Sequence, residues 1–226
     1  MAASQAVSFG LVSLMAVAVA KTAACQLRTV ERRNYASVFK AVRWWMIPAG
    51  LVNLAVVVAI GTWLMTFPLL DFSWWKFLSG QGGNVALGQT AFSGPLWAVV
   101  SFALPVGLLL VIPTLALYEE WMFRQGSERR SAAGKFGMQL KFGLLHSLFA
   151  GIPLAFGLAL TISGLYFLVV YQYHYRQAVG GSSQGSITRS LRNGAGASAA
   201  VKSAAVHAVN NYLVVALLLV YLTATI

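Results

Sequence analysis

Long apolar runs, separated by short basic or glycine-rich segments, make up most of the chain. An apolar stretch of about 18 residues or more is long enough to cross a membrane as a helix. The runs lack the alternating polar and apolar pattern of a membrane barrel, so helices are expected. Six spans are therefore predicted, over residues 6–24, 46–67, 95–120, 136–151, 154–175 and 201–226.

The fourth and fifth spans come from one run, residues 136–175, which is too long for a single crossing. Gly151 and Pro153 offer a break within it, because glycine permits a tight turn and proline disrupts a helix interior. We therefore expect a short fourth helix and a longer fifth one. Pro105 and Pro113 are expected to bend the third span, and the carbonyl groups that they free would need polar partners nearby.

The segments between the spans differ in character. Residues 28–43 hold five basic side chains against one acid, Glu31, with apolar residues interspersed, so part of this segment is expected to lie as an interfacial helix. Residues 68–94 are rich in glycine and predict a loop with a short interfacial helix. Residues 177–200 are rich in glycine and serine and predict a flexible linker.

The composition excludes a soluble domain. Of the 226 residues, 58% are hydrophobic and only 9% are charged, whereas soluble domains have about 25% charged residues. The net charge of +11 is concentrated between the helices, so membrane lipid with anionic headgroups, and not nucleic acid, is the expected partner. The predicted fold class is all-α: a polytopic transmembrane helical bundle of about six spans plus interfacial helices, forming a single membrane domain.

The basic residues also predict the orientation. Residues 26–43, 125–141 and 176–202 hold nearly all the lysines and arginines, while residues 68–94 hold one. With six spans the three basic segments share one side, which the positive-inside rule makes cytoplasmic. We therefore expect a multi-pass integral protein of a plasma or inner membrane, with both termini outside. A five-span alternative would leave residues 176–202 outside, against that rule.

Candidate functional residues are the polar side chains inside the apolar runs, because an ionisable group within a membrane span is by default a functional-site hypothesis. The chain has five acidic residues, and Glu119 and Glu120 are adjacent at the end of the third span. Four-residue spacing puts two side chains on one face of a helix. Three pairs near the basic side have that spacing, namely Glu120 with Arg124, Phe142 with His146, and His207 with Asn211.

These residue types at one depth could hydrolyse an amide. A carboxylate such as Glu119 can take a proton from water, and a neighbouring imidazole can orient the same water. An imidazole N–H and an asparagine amide can stabilise the oxyanion. The alternative is that Glu119, His146 and His207 hold zinc with one position open for water. Taken singly, each residue is more often a helix–helix hydrogen bonder or a solvated helix end than a catalytic group.

The three motifs in this order resemble the signature of the type II CAAX prenyl endopeptidase and bacteriocin-processing family, which are glutamate-dependent intramembrane proteases. The motifs are Glu119-Glu120-x-x-x-Arg124, Phe142-x-x-x-His146 and His207-x-x-x-Asn211. The resemblance covers residues 95–226, which would be the protease core, while residues 1–94 would be variable N-terminal spans with the glycine-rich loop. The long segment 177–200 departs from the pattern and leaves the substrate entry route open.

The resemblance implies a role for each motif residue. Glu119 would be the general base, His146 its partner on the water, and His207 and Asn211 the oxyanion hole. Residues Glu120 and Arg124 would hold the end of the third span, and Phe142 would pack the wall of the site. The resemblance favours a mechanism without metal, although the family was once described as metalloendopeptidases and zinc stays the alternative. The substrate would be a membrane-associated or lipidated peptide or protein C-terminus.

Two other functions remain open at this point. The first is a catalytically silent membrane scaffold or immunity-type protein of the same fold, because some members of the family are described in bacteriocin self-immunity. The second is a small transporter or cofactor-binding protein that uses His146 and His207 as ligands. The sequence fixes neither the substrate nor the oligomeric state.

Overall fold

The computed structural model describes residues 3–74, 95–180 and 189–225, and within these ranges it contains helices and no strand. The all-α prediction is therefore confirmed. The predicted loop and short helix of residues 68–94 lie mostly outside the described residues. The α-helices, in chain order, are α1 (Ala3–Cys25), α2 (Thr29–Ala41), α3 (Met46–Leu64), α4 (Pro95–Phe123), α5 (Ala132–Ala150), α6 (Leu154–Gly180) and α7 (Arg189–Thr225).

Five of the described helices are long and apolar enough to cross a membrane. They are α1, α3, α4, α6 and α7, and they fit an integral membrane protein. The remaining predicted span, residues 136–151, lies in α5, which carries Lys135 and Lys141 and is not among these five helices. The predicted break is confirmed, because α5 ends at Ala150 and the next residue, Gly151, has a left-handed φ of 64°.

Helices α5 and α6 form a tightly packed antiparallel hairpin. A Cβ atom added to Gly143 would overlap the carbonyl oxygen of Gly157, so only glycine lets the two backbones approach this closely. The hydroxyl of Ser147 donates to the carbonyl of Pro153 at 3.2 Å. At the other end of the hairpin, Gly164 lies against Gln139. Helix α5 therefore runs alongside α6 over most of its own length.

Pro113 inside α4 leaves a carbonyl group that another helix satisfies. Pro113 lacks the N–H that would bond the carbonyl of Leu109, and the Tyr212 hydroxyl of α7 donates to that oxygen at 3.0 Å. The side chain of Gln26 donates to the next carbonyl, that of Leu110, at 3.2 Å. The carbonyl that Pro113 frees therefore has the polar partner that the sequence predicts, and the two bonds join α4 to α7 and to the chain after α1.

The predicted flexible linker is partly wrong. Residues 177–180 complete α6, and residues 189–200 form the first turns of α7. Small side chains there allow close packing instead of flexibility: Ala199 and Ala200 are fully buried, and Gly196 lies against the hydroxyl of Tyr171. Gly- and Ser-rich composition fits both a linker and a closely packed helix, and here packing decides the outcome.

The basic segments gather at one end of the bundle. One cavity is bordered by Arg43 before α3, by His174 near the end of α6 and by Lys202 in α7. The turn after α4 joins the same end, because the Tyr171 hydroxyl donates to Glu128 Oε2 at 3.1 Å. This basic end is the one near which the candidate site lies.

Candidate functional site

A buried ion pair ends α4. Glu120 and Arg124 both have 0% side-chain exposure, and Arg124 Nη1 lies 3.1 Å from Glu120 Oε1, as their four-residue spacing predicts. A buried charge is tolerated only when it is paired and hydrogen-bonded. The two residues therefore hold each other in the core at this depth.

Aromatic rings surround the guanidinium of Arg124. Its Cζ atom lies 4.0 Å from the centroid of the Phe142 ring, 5.4 Å from that of Phe167 and 5.7 Å from that of Phe123. A cation within about 6 Å of an aromatic face is attracted by the ring quadrupole, most strongly where water is excluded. Because these rings come from α4, α5 and α6, the arginine ties three helices together.

His207 of α7 connects this pair to the neighbouring glutamate. Its Nδ1 lies 3.1 Å from Glu120 Oε1, and the imidazole must be the donor because a carboxylate only accepts. The ring stacks on Phe167 at 4.3 Å with an interplanar angle of 21°. The side chain of His207 is 1% exposed, so its orientation is fixed by the stacked Phe167 ring and by the bond at Nδ1.

Glu119 faces both imidazoles. Its Oε2 lies 3.4 Å from Nε2 of His207 and 4.0 Å from Nε2 of His146. The glutamate is 28% exposed and His146 is 31% exposed, so both are accessible where His207 is not. The Nδ1 of His146 lies 2.8 Å from the carbonyl oxygen of Phe142 and must donate to it. In its neutral form, His146 therefore presents an accepting Nε2 toward Glu119.

The two accessible side chains, Glu119 and His146, line an apolar cavity of about 270 Å³. Glu119 and His146 are its polar lining residues, and the others are hydrophobic. Met122 and Phe149 line it and are largely exposed, at 60% and 72%. The cavity therefore lets an apolar group reach the carboxylate from the side of the bundle. Its hydrophobic lining consists of Met122, Phe123, Phe142, Leu145, Phe149 and Ala150.

The structure brings most of the predicted site residues together, at the atomic distances given above. Asn211 has no hydrogen bond or ion pair to them: it is half-buried, and among the described residues no hydrogen bond reaches its side chain. The adjacent Asn210 is the buried one, and it accepts from Asn53 Nδ2 at 2.9 Å. The grouped residues are Glu119, Glu120, Arg124, Phe142, His146 and His207.

Sequence reasoning missed two features around the site. Phe167 packs on both His207 and Arg124, but an aromatic residue within an apolar run carries no distinguishing signal. Asn53 Nδ2 donates to both Ser163 Oγ and Asn210 Oδ1 at 2.9 Å, which joins α3, α6 and α7 by buried hydrogen bonds. An asparagine inside a span was a usable signal, because polar residues in membrane helices commonly bond across helices.

The zinc alternative gains no support from the geometry. In the ranges that the structure covers, no three His, Cys, Asp or Glu side chains are grouped so that they could hold a metal ion. Zinc at Glu119, His146 and His207 therefore stays a prediction from the sequence.

No protein-family model, curated protein or solved structure matches this chain. The resemblance to glutamate-dependent intramembrane proteases therefore rests on the three motifs, and a function has to be argued from the geometry of the site.

Proposed function

We propose that this protein is an intramembrane endopeptidase in which Glu119 activates a water molecule to hydrolyse a peptide bond. The observation that carries the proposal is the position of Glu119. Its carboxylate lies within 4.0 Å of two imidazoles from two other helices, at the edge of an apolar cavity. Carboxylate and imidazole groups in reach of one water molecule are the elements of general base catalysis.

The nucleophilic water would lie between Glu119 and His146. Ordinary hydrogen bonds of about 2.8 Å from one water oxygen to both acceptors suit a separation of about 4 Å, and Oε2 and Nε2 are 4.0 Å apart. Both groups accept, because Nδ1 of His146 carries the proton that it donates to Phe142. The water would donate one hydrogen to Glu119 and the other to His146. A lone pair on its oxygen would remain free to attack the peptide carbonyl. Glu119 would take the proton and pass it to the leaving amine.

Glu120 and Arg124 would act as positioning residues. Arg124 compensates the charge of Glu120, and Glu120 fixes Nδ1 of His207. When both ring nitrogens carry protons, Nε2–H of His207 would be available to the oxyanion. Asn211 would be the other oxyanion donor, as the resemblance implies.

The substrate class follows from the cavity lining. Apart from the reacting pair the lining is hydrophobic, and exposed Met122 and Phe149 border it. A membrane-associated or lipidated peptide, or the C-terminus of such a protein, fits this surface. The positive-inside rule would put the site near the cytoplasmic face of a plasma or inner membrane, because the basic segments share that end of the bundle.

The test is cleavage by purified protein in lipid vesicles. Hydrophobic peptides carrying a fluorophore and a quencher, with and without a C-terminal lipid, are incubated with the wild type and with Glu119→Gln and His146→Gln variants. The matched controls are Glu31→Gln and His174→Gln, which change the same residue types outside the site. We expect the site variants to lose about a hundredfold or more in rate and the controls to keep it.

Two results would count against the proposal. Cleavage by Glu119→Gln at the wild-type rate would exclude this carboxylate as the base. A wild-type protein that cleaves nothing, together with a cellular phenotype that Glu119→Gln preserves, would favour the silent scaffold or immunity-type alternative. Unfolding curves of each variant distinguish loss of chemistry from loss of fold.

A further inference from the structure

A second cavity, of about 630 Å³, lies at the basic end of the bundle. It is separate from the site around Glu119 and is bordered by the end of α2, the start of α3, the end of α6 and the first half of α7. Its volume falls within the range of about 300–1,000 Å³ that is usual for small-ligand sites. No residue of the proposed catalytic machinery lines it.

Three cations surround this cavity. Lys40, Arg43 and Lys202 line it, together with the hydroxyl-bearing Ser37 and Ser198, and no acidic residue does. Within the described ranges none of the three cations forms an ion pair. Arg43 Nη1 donates to the carbonyls of Lys40 and Val42, both at 2.9 Å, which fixes the guanidinium beside the cavity. The cavity therefore holds uncompensated positive charge from α2, the α2–α3 connection and α7.

The same cavity has an apolar side. Met46, which is buried, and Val201 line it alongside Trp45. Tryptophan is enriched at the headgroup level of membranes, and α3 begins its apolar span at Met46. One side of the cavity therefore carries cations and hydroxyl groups, and the other side is apolar. This lining matches a molecule that is both anionic and amphiphilic.

We propose that this cavity binds the phosphate-bearing headgroup of an anionic phospholipid. The three cations and the Ser198 hydroxyl would bind the phosphate, because charge-assisted hydrogen bonds to phosphate are stronger than neutral ones. The Ser37 hydroxyl instead donates to the carbonyl of Asn34 at 2.6 Å. The first acyl carbons would pack on Trp45, Met46 and Val201. Basic pockets between membrane helices bind anionic headgroups elsewhere by the same chemistry. The site does not depend on the proposed proteolysis.

The test uses the full chain in zwitterionic detergent and counts bound lipid by native mass spectrometry. Phosphatidylglycerol is titrated against phosphatidylcholine, and inorganic phosphate is added as a soluble competitor. We expect phosphatidylglycerol to be retained over phosphatidylcholine and to resist equimolar phosphate. Removing one cation, as in Lys202→Gln, should weaken binding about fivefold, and replacing all three by glutamine about a hundredfold.

The matched control removes the same charge outside the cavity, by glutamine at Arg32, Arg129 and Lys141. This triple variant should retain phosphatidylglycerol like the wild type. If both triple variants lose phosphatidylglycerol equally, the proposed site is wrong and the lipid is held by nonspecific charge attraction. Equal retention of phosphatidylcholine, or displacement by equimolar phosphate, would overturn the lipid assignment. If the cavity triple variant does not fold, Lys202→Gln is tested in its place, and phosphatidylglycerol retention equal to that of the wild type would overturn the site.

Discussion

Replacing Arg124 by methionine should destabilise the folded protein by about 3–5 kcal/mol, because it leaves the carboxylate of Glu120 buried without its arginine partner. Both side chains are fully buried, so water cannot compensate for the loss. His207 Nδ1 would still lie 3.1 Å from Glu120 Oε1, but the neighbouring guanidinium charge would be gone. Glu120→Gln should destabilise by a similar amount, since it leaves the guanidinium buried without a carboxylate.

The double variant Glu120→Gln, Arg124→Met separates the ion pair from the packing. Glutamine keeps an acceptor for His207, and methionine fills part of the space between the rings. We expect the double variant to be less destabilised than the sum of the single ones, with a coupling of about 0.5–3 kcal/mol. Arg124→Lys keeps the positive charge but loses the planar guanidinium that stacks over Phe142, so it should not restore the full stability of the wild type.

The assay is reversible unfolding in mixed micelles, followed by the fluorescence of the tryptophans. Arg129→Met is the matched control, because Arg129 is 64% exposed and its contact with Glu128 is long, at 3.9 Å. It should change stability by no more than about 0.5 kcal/mol. A loss below about 1 kcal/mol for Arg124→Met, or strictly additive effects in the double variant, would refute the interdependence of this buried pair.

Three further outcomes follow from the packing and the chemistry. Gly143→Ala should destabilise the folded protein by about 1–3 kcal/mol, because the new Cβ would overlap the carbonyl of Gly157. In the same unfolding assay Gly137→Ala, on the same helix, should be neutral or stabilising, because its Cβ would meet no other atom. Tyr212→Phe should destabilise by about 1–3 kcal/mol, because it leaves a carbonyl of α4 without a partner; equal stability of Tyr212→Phe and the exposed-site control Tyr173→Phe would contradict this. Peptide cleavage should persist in a zinc chelator, and loss that added zinc restores would instead support the metal alternative.

The local breaks in the helices could be predicted from the sequence because each has a backbone cause. The break at Gly151 follows from a glycine and a proline in a run too long for one span. The need for a polar partner on α4 follows from Pro113, which leaves the carbonyl of Leu109 without an N–H, and Tyr212 supplies that partner. In both cases the cause is a glycine or proline at a known position, so it can be read from the sequence.

Features set by packing between helices could not be predicted in the same way. Residues 189–200 have a composition that suits a linker, yet they are helical because their small side chains pack closely on other helices. Asn210 and Asn211 are adjacent and differ by about 100° around the helix. Which of them is buried depends on the neighbours of α7, and Asn53 makes it Asn210.

The most direct test of Glu119 as the base is product analysis in water labelled with the heavy isotope of oxygen. Wild-type protein in vesicles should release a peptide fragment whose new carboxyl terminus carries the label, and Glu31→Gln should release the same fragment. Glu119→Gln, folded as shown by its unfolding curve, should release none. Labelled product from Glu119→Gln in wild-type yield would show that another group activates the water.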